Sequence, residues 1–574
     1  MKKHILLAFF SFLSCSSFSQ KEDHIWAFGY DSNTYPQHPG TERITFDFND
    51  SLKITYSQGG ISFLNSSASI CDPSGNLILL SNSCYIETGA GAFVQGSSGL
   101  NPGYMYNEFC ANGGNGYNVP QNMLLLRDPS NSNLVHLFHI RLTLTTQVAF
   151  LDDLLHTLVD ISANNGNGKA LFKNQPVVND SIDSEGIHAV RHANGRDWWI
   201  VVGKYLTNTY HILLLSPQGI EAKTQSIGPY PQTLGGNGEM VFSPDGTKLA
   251  RFNTKDDLRI LDFDRCSGTF SNYRHVPVQD NADNQIFGGL AWSADGHYLY
   301  AGEVKRLLQF DVLASDIAAS TVIIAEAEPP LCPLSGTIGF LELGPDAMIY
   351  GTPLNGQKCM HRIKHPERAS TASELQQNFY QLEFSFSNFP HFPNFRLGPV
   401  DGSVCDTLGI NNLPLAGWRY ERTGGNAVDF VSVSWYEPTA WLWDFGDGVQ
   451  SSERNPSHSF PSAGAYEVCL EVSNQYGSDI KCKTVWVGST ATKEPPNPTD
   501  ITFYPNPSSG SLYWTNTGAE PVLLRLYNPL GQLLLSQESA DGFVSIAQFL
   551  PGIYTAQLVS NNGRVLTATQ VVLK

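Results

Sequence analysis

The fold class this sequence predicts is all-β: a seven-bladed β-propeller followed by two small Ig-like β-sandwich domains. Three observations predict it. From Gln20 to about Asn411 the 574-residue chain lacks amphipathic helix periodicity and carries short apolar or alternating runs separated by Gly, Asp, Asn, Ser and Pro. A turn signature recurs there at Asp72, Asp128, Asn194, Asp245, Asp295, Asp346 and Asp401, in steps of 56, 66, 51, 50, 51 and 55 residues. Behind it lie two shorter stretches, each with strand alternation punctuated by Pro, Asn and Gly turns.

The chain opens on Lys2, Lys3 and His4, an apolar run from Ile5 to Leu13, and small residues from Ser14 to Ser19. This is the pattern of a secretory signal peptide over residues 1–19, leaving Gln20 first after cleavage. Cys15 raises the rival of a lipoprotein, although Phe12 stands where Leu is usual. No later stretch reaches the ~20 apolar residues a spanning helix needs, so no transmembrane span is expected. The formal charge of −18, from 53 acidic and 35 basic residues, repels polyanions and excludes nucleic acid as a partner. Of the ten cysteines, Cys15 leaves with the signal peptide, and the other nine in an exported chain read as disulfide staples. Cys71 with Cys84, Cys332 with Cys359, and Cys469 with Cys482 bracket candidate hairpins or one sheet. None shows zinc-site spacing.

In the front region, residues 20–411, strands follow most of the turns: Asn76 to Leu80, Leu134 to Ile140, Trp198 to Val202, Lys248 to Arg251 and Tyr298 to Ala301. A period near fifty with about four strands per unit suits a propeller blade, because radial stacking covers both faces of each sheet. Seven signatures give seven blades; six or eight also fit, since the first and last signatures are the weakest. The long second step leaves room for a short helix over Asp152 to Ile161. Ser243-Pro244-Asp245-Gly246-Thr247-Lys248-Leu249-Ala250 and Ser293-Ala294-Asp295-Gly296-His297-Tyr298-Leu299-Tyr300 carry the clearest resemblance to exported WD-type or YVTN-like propellers. Gly-His and Trp-Asp dipeptides are missing, so the likeness covers architecture and not partners. Asp and Gly in these turns serve the backbone: Asp caps its own turn and Gly accepts positive φ.

Residues 412–488 alternate as a small sandwich. Trp441-Leu442-Trp443-Asp444-Phe445-Gly446-Asp447-Gly448, with His458, Phe460, Gly464 and Tyr466 at matching distances, closely resembles the polycystic-kidney-disease (PKD) type domain. Trp443, Phe460 and Tyr466 are expected in its core. Asp444 and Asp447 are too few for a calcium site and read as turn caps. The resemblance implies a spacer or a weak carbohydrate or protein binder.

A linker, residues 489–499, leads to residues 500–574. Pro505-Asn506-Pro507, Gly510, Tyr527-Asn528-Pro529-Leu530-Gly531-Gln532, Gly552-Ile553-Tyr554 and a terminal Lys574 resemble the C-terminal sorting domain of type IX secretion cargo in the Bacteroidetes. That implies the type IX secretion machinery as a partner and a secreted or outer-membrane, cell-surface location.

Catalysis has no positive sequence signal: no nucleophile elbow, zinc helix or phosphate loop is present. No catalytic residue, cofactor or metal is expected. The candidates around an axis are His188, His192, Arg196, Asp197, Glu239 and Glu303; Glu239 and Glu303 could pair as acid and base. The leading expectation is a non-catalytic binding or adhesion protein whose propeller loops present a face to an extracellular glycan or protein, with Tyr104, Tyr106, Tyr117, Trp198 and Trp199 as candidate contacts. The alternatives are a secreted carbohydrate-active hydrolase with its site on the propeller axis, and a purely structural surface component.

Overall fold

The computed structural model describes residues 20–30, 41–111, 116–144, 149–230, 237–278, 287–328, 336–354, 356–488, 503–504, 508, 510–514, 522–528, 533–539, 543–560 and 565–573. They form two compact units, divided between Val487 and Gly488. The architecture is predominantly β, built from antiparallel sheets. Among the described residues no helix is long and apolar enough to cross a membrane.

In the first unit, seven strands each begin a group of three or four: β1 (Ile25–Phe28), β2 (Ala68–Cys71), β3 (Met123–Arg127), β4 (Lys169–Arg191), β5 (Glu239–Phe242), β6 (Gly289–Trp292) and β7 (Leu341–Leu343). Each packs beside the next, β1 on β2, β2 on β3, and so on to β6 on β7. The third and fourth groups share one seven-stranded sheet because β4 serves both. Its first half pairs with Ala149–Asp160 and its second with Trp198–Lys204, with register shifts along the way. The last three groups are separate four-stranded sheets. First and last groups also touch: Phe28 meets Phe386 edge-on at 5.4 Å, and Tyr30 bridges to Ser385.

The recurring turns do what their chemistry requires. Asp245 accepts from the Ser243 hydroxyl and the Thr247 amide, and Asp295 repeats this with Ser293 and His297. Gly246 and Gly296 sit at φ +71° and +70°, where a side chain would strain.

Two expectations need correction. Residues 152–161 are not a helix but most of the strand Ala149–Asp160, paired on both sides. Bulges in that sheet, one at Ile140/Arg141, break the alternation that would have marked it as a strand. Cys84 bonds Cys110 rather than Cys71. Cys71 pairs in register with Leu77 and stays a free, buried thiol, while Cys84 lies past the hairpin and faces the end of the short helix Tyr104–Phe109. Cys266 bonds Cys405. Cys359 is disulfide-bonded, and Cys332 lies outside the described residues.

Residues 418–487 form a two-sheet sandwich: Trp418–Gly424, Ala427–Ser432 and Ser457–Ser459 face Gln450–Ser451, Ala440–Asp444, Gly464–Asn474 and Gly477–Val487. Trp418, Phe430, Trp443, Phe445, Phe460, Val468 and Leu470 fill its core, with Tyr466 packed at the edge. Cys469 and Cys482 lie directly opposite each other in register and are bonded. Asp444 accepts from the Gly446 amide and Asp447 from the Val449 amide and His458, so both cap turns. Gly446 and Gly448 hold φ +73° and +90°.

The second unit is a smaller sandwich with Leu512, Trp514, Leu524, Leu526, Ala556, Leu558 and Val571 in its core. The Gly510 carbonyl accepts from the Ile546 amide, Gly552 opens the strand Gly552–Ser560, and the Tyr554 hydroxyl donates to the Leu550 carbonyl at 2.7 Å. Pro505, Asn506, Pro507, Gly531 and Lys574 lie outside the described residues.

Candidate functional site

From the end of the last front strand, residues 386–396 form a crossing segment that contacts β1, β4 and the chain next to β2, β3 and β5. Phe386, Phe389, Phe392 and Phe395 recur every third residue with Pro390 and Pro393 between them, the repeat of an extended polyproline-type segment. All four rings are buried. Phe389 and Phe392 pack on Trp26 of β1 at 5.5 and 5.9 Å, and Phe395 on Trp198 at 5.5 Å. One step round, the polar residues also recur in threes. Asn388 donates to the Asn65 carbonyl, His391 receives Gln121 at Nδ1, and Asn394 donates to the Pro244 carbonyl. The segment therefore satisfies polar groups from several sheets while its phenyl face completes the core.

Beside it lies a cavity of about 70 Å³ lined by β5, β6 and β7 through Val241, Phe242, Leu290, Trp292, Leu341 and Glu342, together with Asp23, His188, Phe392, Asn394, Arg396 and Trp435. Two carboxyl groups open on it. Burial pushes Glu342 well above the ordinary carboxylate range, with Glu239 and Asp23 adding repulsion, which favours its protonated form. Its Oε2 lies 3.6 Å from His391 Nδ1. Asp23 instead receives Arg396 through both guanidinium ends at 2.5 Å. The imidazoles of His188 and His391 meet edge-on at 4.5 Å. Burial holds His188 down at about 4 and His391 well below its ordinary range, so both are neutral. His391 Nε2 is buried without a hydrogen-bond partner.

Of the axial candidates read from sequence, only His188 reaches this cavity. Glu239 is buried behind it, pushed up to about 8 by burial, and accepts from the Leu290 amide at 2.6 Å and the Leu341 amide at 3.3 Å. It is a tie between three sheets. Glu303 is ion-paired to Arg306 at 2.6 Å and does not line the cavity. The two do not act as a pair. His192, Arg196 and Asp197 belong to a turn: Asp197 is held by Arg196 at 2.7 Å and by Asn194 at 2.8 Å, and His192 contacts the Cys266 carbonyl. Among the aromatic candidates, Tyr117, Trp198 and Trp199 are buried, Tyr106 is partly buried, and Tyr104 is exposed. Asp23, Glu342, His391, Arg396 and Trp435 were not among the sequence candidates. The phenylalanine triplet repeat was the available signal for the segment carrying two of them.

A metal centre has no donor set: among the described residues no group of three His, Cys, Asp or Glu side chains could hold an ion.

Comparison with known proteins places the two C-terminal segments. Residues 424–487 match the PKD domain and residues 502–574 the secretion system C-terminal sorting domain. The chain is 37% identical over 90 residues to collagenase ColQ1 of Bacillus cereus (strain Q1), which is 15% of this chain and 9% of that protein. To a microbial collagenase of Vibrio alginolyticus it is 32% identical over 124 residues, 21% of this chain and 15% of the relative. The chain thus matches only a small part of either relative's length. The solved PKD1 domain of Vibrio anguillarum Epp is 32% identical, covering 14% of this chain and 99% of its own, with a TM-score of 0.13. A putative 6-phosphogluconolactonase from Bacteroides uniformis is 11% identical, covering 64% of this chain and 100% of its own, at a TM-score of 0.37. PorZ of Porphyromonas gingivalis, a surface component of its type-IX secretion system, is 12% identical over 96% of this chain and 100% of its own, at a TM-score of 0.18. The chain carries a PKD domain and a C-terminal sorting domain, and it is a secreted or cell-surface protein exported by the type IX secretion machinery.

Proposed function

We propose that the chain is an exported carbohydrate-active hydrolase whose site is the cavity beside residues 386–396. In this reading residues 20–411 are a closed seven-bladed β-propeller, residues 412–488 the PKD-type sandwich, residues 489–499 a linker and residues 500–574 the sorting sandwich, with residues 1–19 removed as a signal peptide. Seven consecutive first strands and the Phe28–Phe386 and Tyr30–Ser385 contacts between first and last groups support the closed ring. The sorting machinery reads Pro505, Asn506, Pro507, Gly510, Gly531, Gly552, Tyr554 and Lys574, and the remaining PKD-type motif residues hold their sandwich.

One observation carries the hydrolase: two carboxyl groups in different settings, Glu342 pushed towards its protonated form by burial and Asp23 paired with Arg396, open on one cavity walled by Trp292, Phe392 and Trp435. Glycoside cleavage needs that division of labour. Glu342 gives its proton to the leaving oxygen as the glycosidic bond breaks, water adds at the sugar carbon, and Asp23 takes the proton that water loses. The test is turnover of a panel of nitrophenyl glycosides and oligosaccharides by the full chain. Wild type should cleave a member of the panel, and Glu342→Gln should retain binding but lose cleavage at least 100-fold. Equal rates in the two proteins would refute the assignment.

A second reading, recognition without cleavage, has its own support. Both oxygens of Asp23 are already engaged by Arg396, which weakens Asp23 as a base. Saturable sugar binding by wild type with no cleavage of any panel member would establish it.

A further inference from the structure

We propose that the PKD-type sandwich is a working part of the sugar cavity read above: its Trp435 is a positioning residue that holds the Arg396–Asp23 pair. This rests on the reading above for the ligand, but not for the role of Trp435.

The sandwich delivers Trp435 on a loop built for the purpose. Trp435 and Leu415 exchange backbone hydrogen bonds of 3.0 and 3.2 Å, anchoring the loop. The next two residues, Tyr436 and Glu437, both lie in the left-handed region at φ +62° and +53°. Non-glycine residues seldom occupy it, and a tyrosine there is strained unless its surroundings enforce it. Asn474 enforces it, donating to the Tyr436 carbonyl at 3.0 Å. The turn swings Trp435 into the cavity wall, where the Arg396 guanidinium lies 4.4 Å from its ring centre. The Tyr436 hydroxyl is buried without a hydrogen-bond partner.

Arg396 needs this support. It sits at the end of the crossing segment, where its backbone amide donates to Asn394 Oδ1 at 2.9 Å; apart from Asp23, its guanidinium donates to the Gln20 carbonyl at 3.4 Å. Without the indole its guanidinium can rotate, and Asp23 then loses its fixed place in the cavity. A spacer domain would have no reason to hold a strained loop against the ion pair of its neighbour.

The full chain is compared with Trp435→Ala, Trp435→Phe and, as a control on the same domain, Trp486→Ala. Two readouts are taken: hydrogen exchange of peptides covering residues 20–30 and 386–400, and NMR titration with D-glucose, D-galactose and N-acetylglucosamine. Trp435→Ala should speed exchange in both peptides at least tenfold and weaken the tightest sugar at least tenfold. Trp435→Phe should stay within about threefold of wild type, and Trp486→Ala should match it. Wild-type exchange in Trp435→Ala overturns the positioning role, whatever the sugars do. Faster exchange with no sugar bound by wild type leaves the positioning role standing and removes the sugar-cavity assignment together with the hydrolase reading. Should Trp435→Ala fail to fold, Trp435→Leu serves the same comparison.

Discussion

Replacing Arg396 by methionine deletes one guanidinium and strands one carboxylate. The Arg396 and Asp23 side chains are only 5% and 7% exposed, so Asp23 cannot recover its loss from solvent. Removing one member of a buried pair costs about 3–5 kcal/mol, and the lost stacking on Trp435 adds about 1 kcal/mol. For a urea dependence of about 3 kcal/mol per molar, a loss of that size lowers the unfolding midpoint by about 1.3–2 M. The double variant Asp23→Asn/Arg396→Met has no stranded charge and should recover more than half of the loss. Urea unfolding of the full chain followed by tryptophan fluorescence reads both numbers. A shift below about 0.3 M for Arg396→Met, or a double variant no better than the single, would refute the claim that this pair ties the chain's start to its crossing segment.

Three further outcomes are expected. Because the folded Glu239 holds its proton to about 8 while an unfolded glutamate releases it near 4.3, its contribution is fully present below about pH 4.3 and is lost as pH rises toward 8, at up to about 1.4 kcal/mol per pH unit; Glu239→Gln should flatten that decline in a melting series. Non-reducing peptide mapping should join Cys84 to Cys110, Cys266 to Cys405 and Cys469 to Cys482, with Cys71 alkylated only after unfolding; a Cys71–Cys84 peptide would contradict the structure. Deleting residues 489–574 should leave the first unit's melting unchanged yet keep it from the cell exterior, and normal surface display would argue against the sorting role.

The sheets were legible where local chemistry repeats. Each Asp-Gly turn needs a capping carboxylate and a residue at positive φ, so its spacing survives in the sequence at Asp245 and Asp295. Legibility failed where the period itself is broken: bulges hid the strand over residues 149–160. Disulfides followed the same division. Cys469 and Cys482 face each other across one hairpin and could be paired by inspection, whereas the bond from Cys84 to Cys110 depends on how a helix packs against a sheet. The cavity was the least legible part. Asp23, Glu342 and Arg396 are far apart in the chain and carry no common motif; only folding assembles them. Glu239 and Glu303 looked equivalent because each neighbours a strand, yet one is swallowed by backbone amides and the other neutralised by Arg306.

The crossing segment also sets the timetable by which this chain can fold. Asp23 and Arg396 are 373 residues apart, and Trp26 rests on Phe389 and Phe392. The oldest part of a nascent chain therefore waits for residues made hundreds of steps later before its own aromatic side chains are covered. Such distant closure is slow and is completed late. Until residues 386–396 are in place, Trp26 has only Phe46 and Phe48 of its own sheet and Tyr350 to pack on, so the first strand of this unit is locked by one of the last pieces of it to be made.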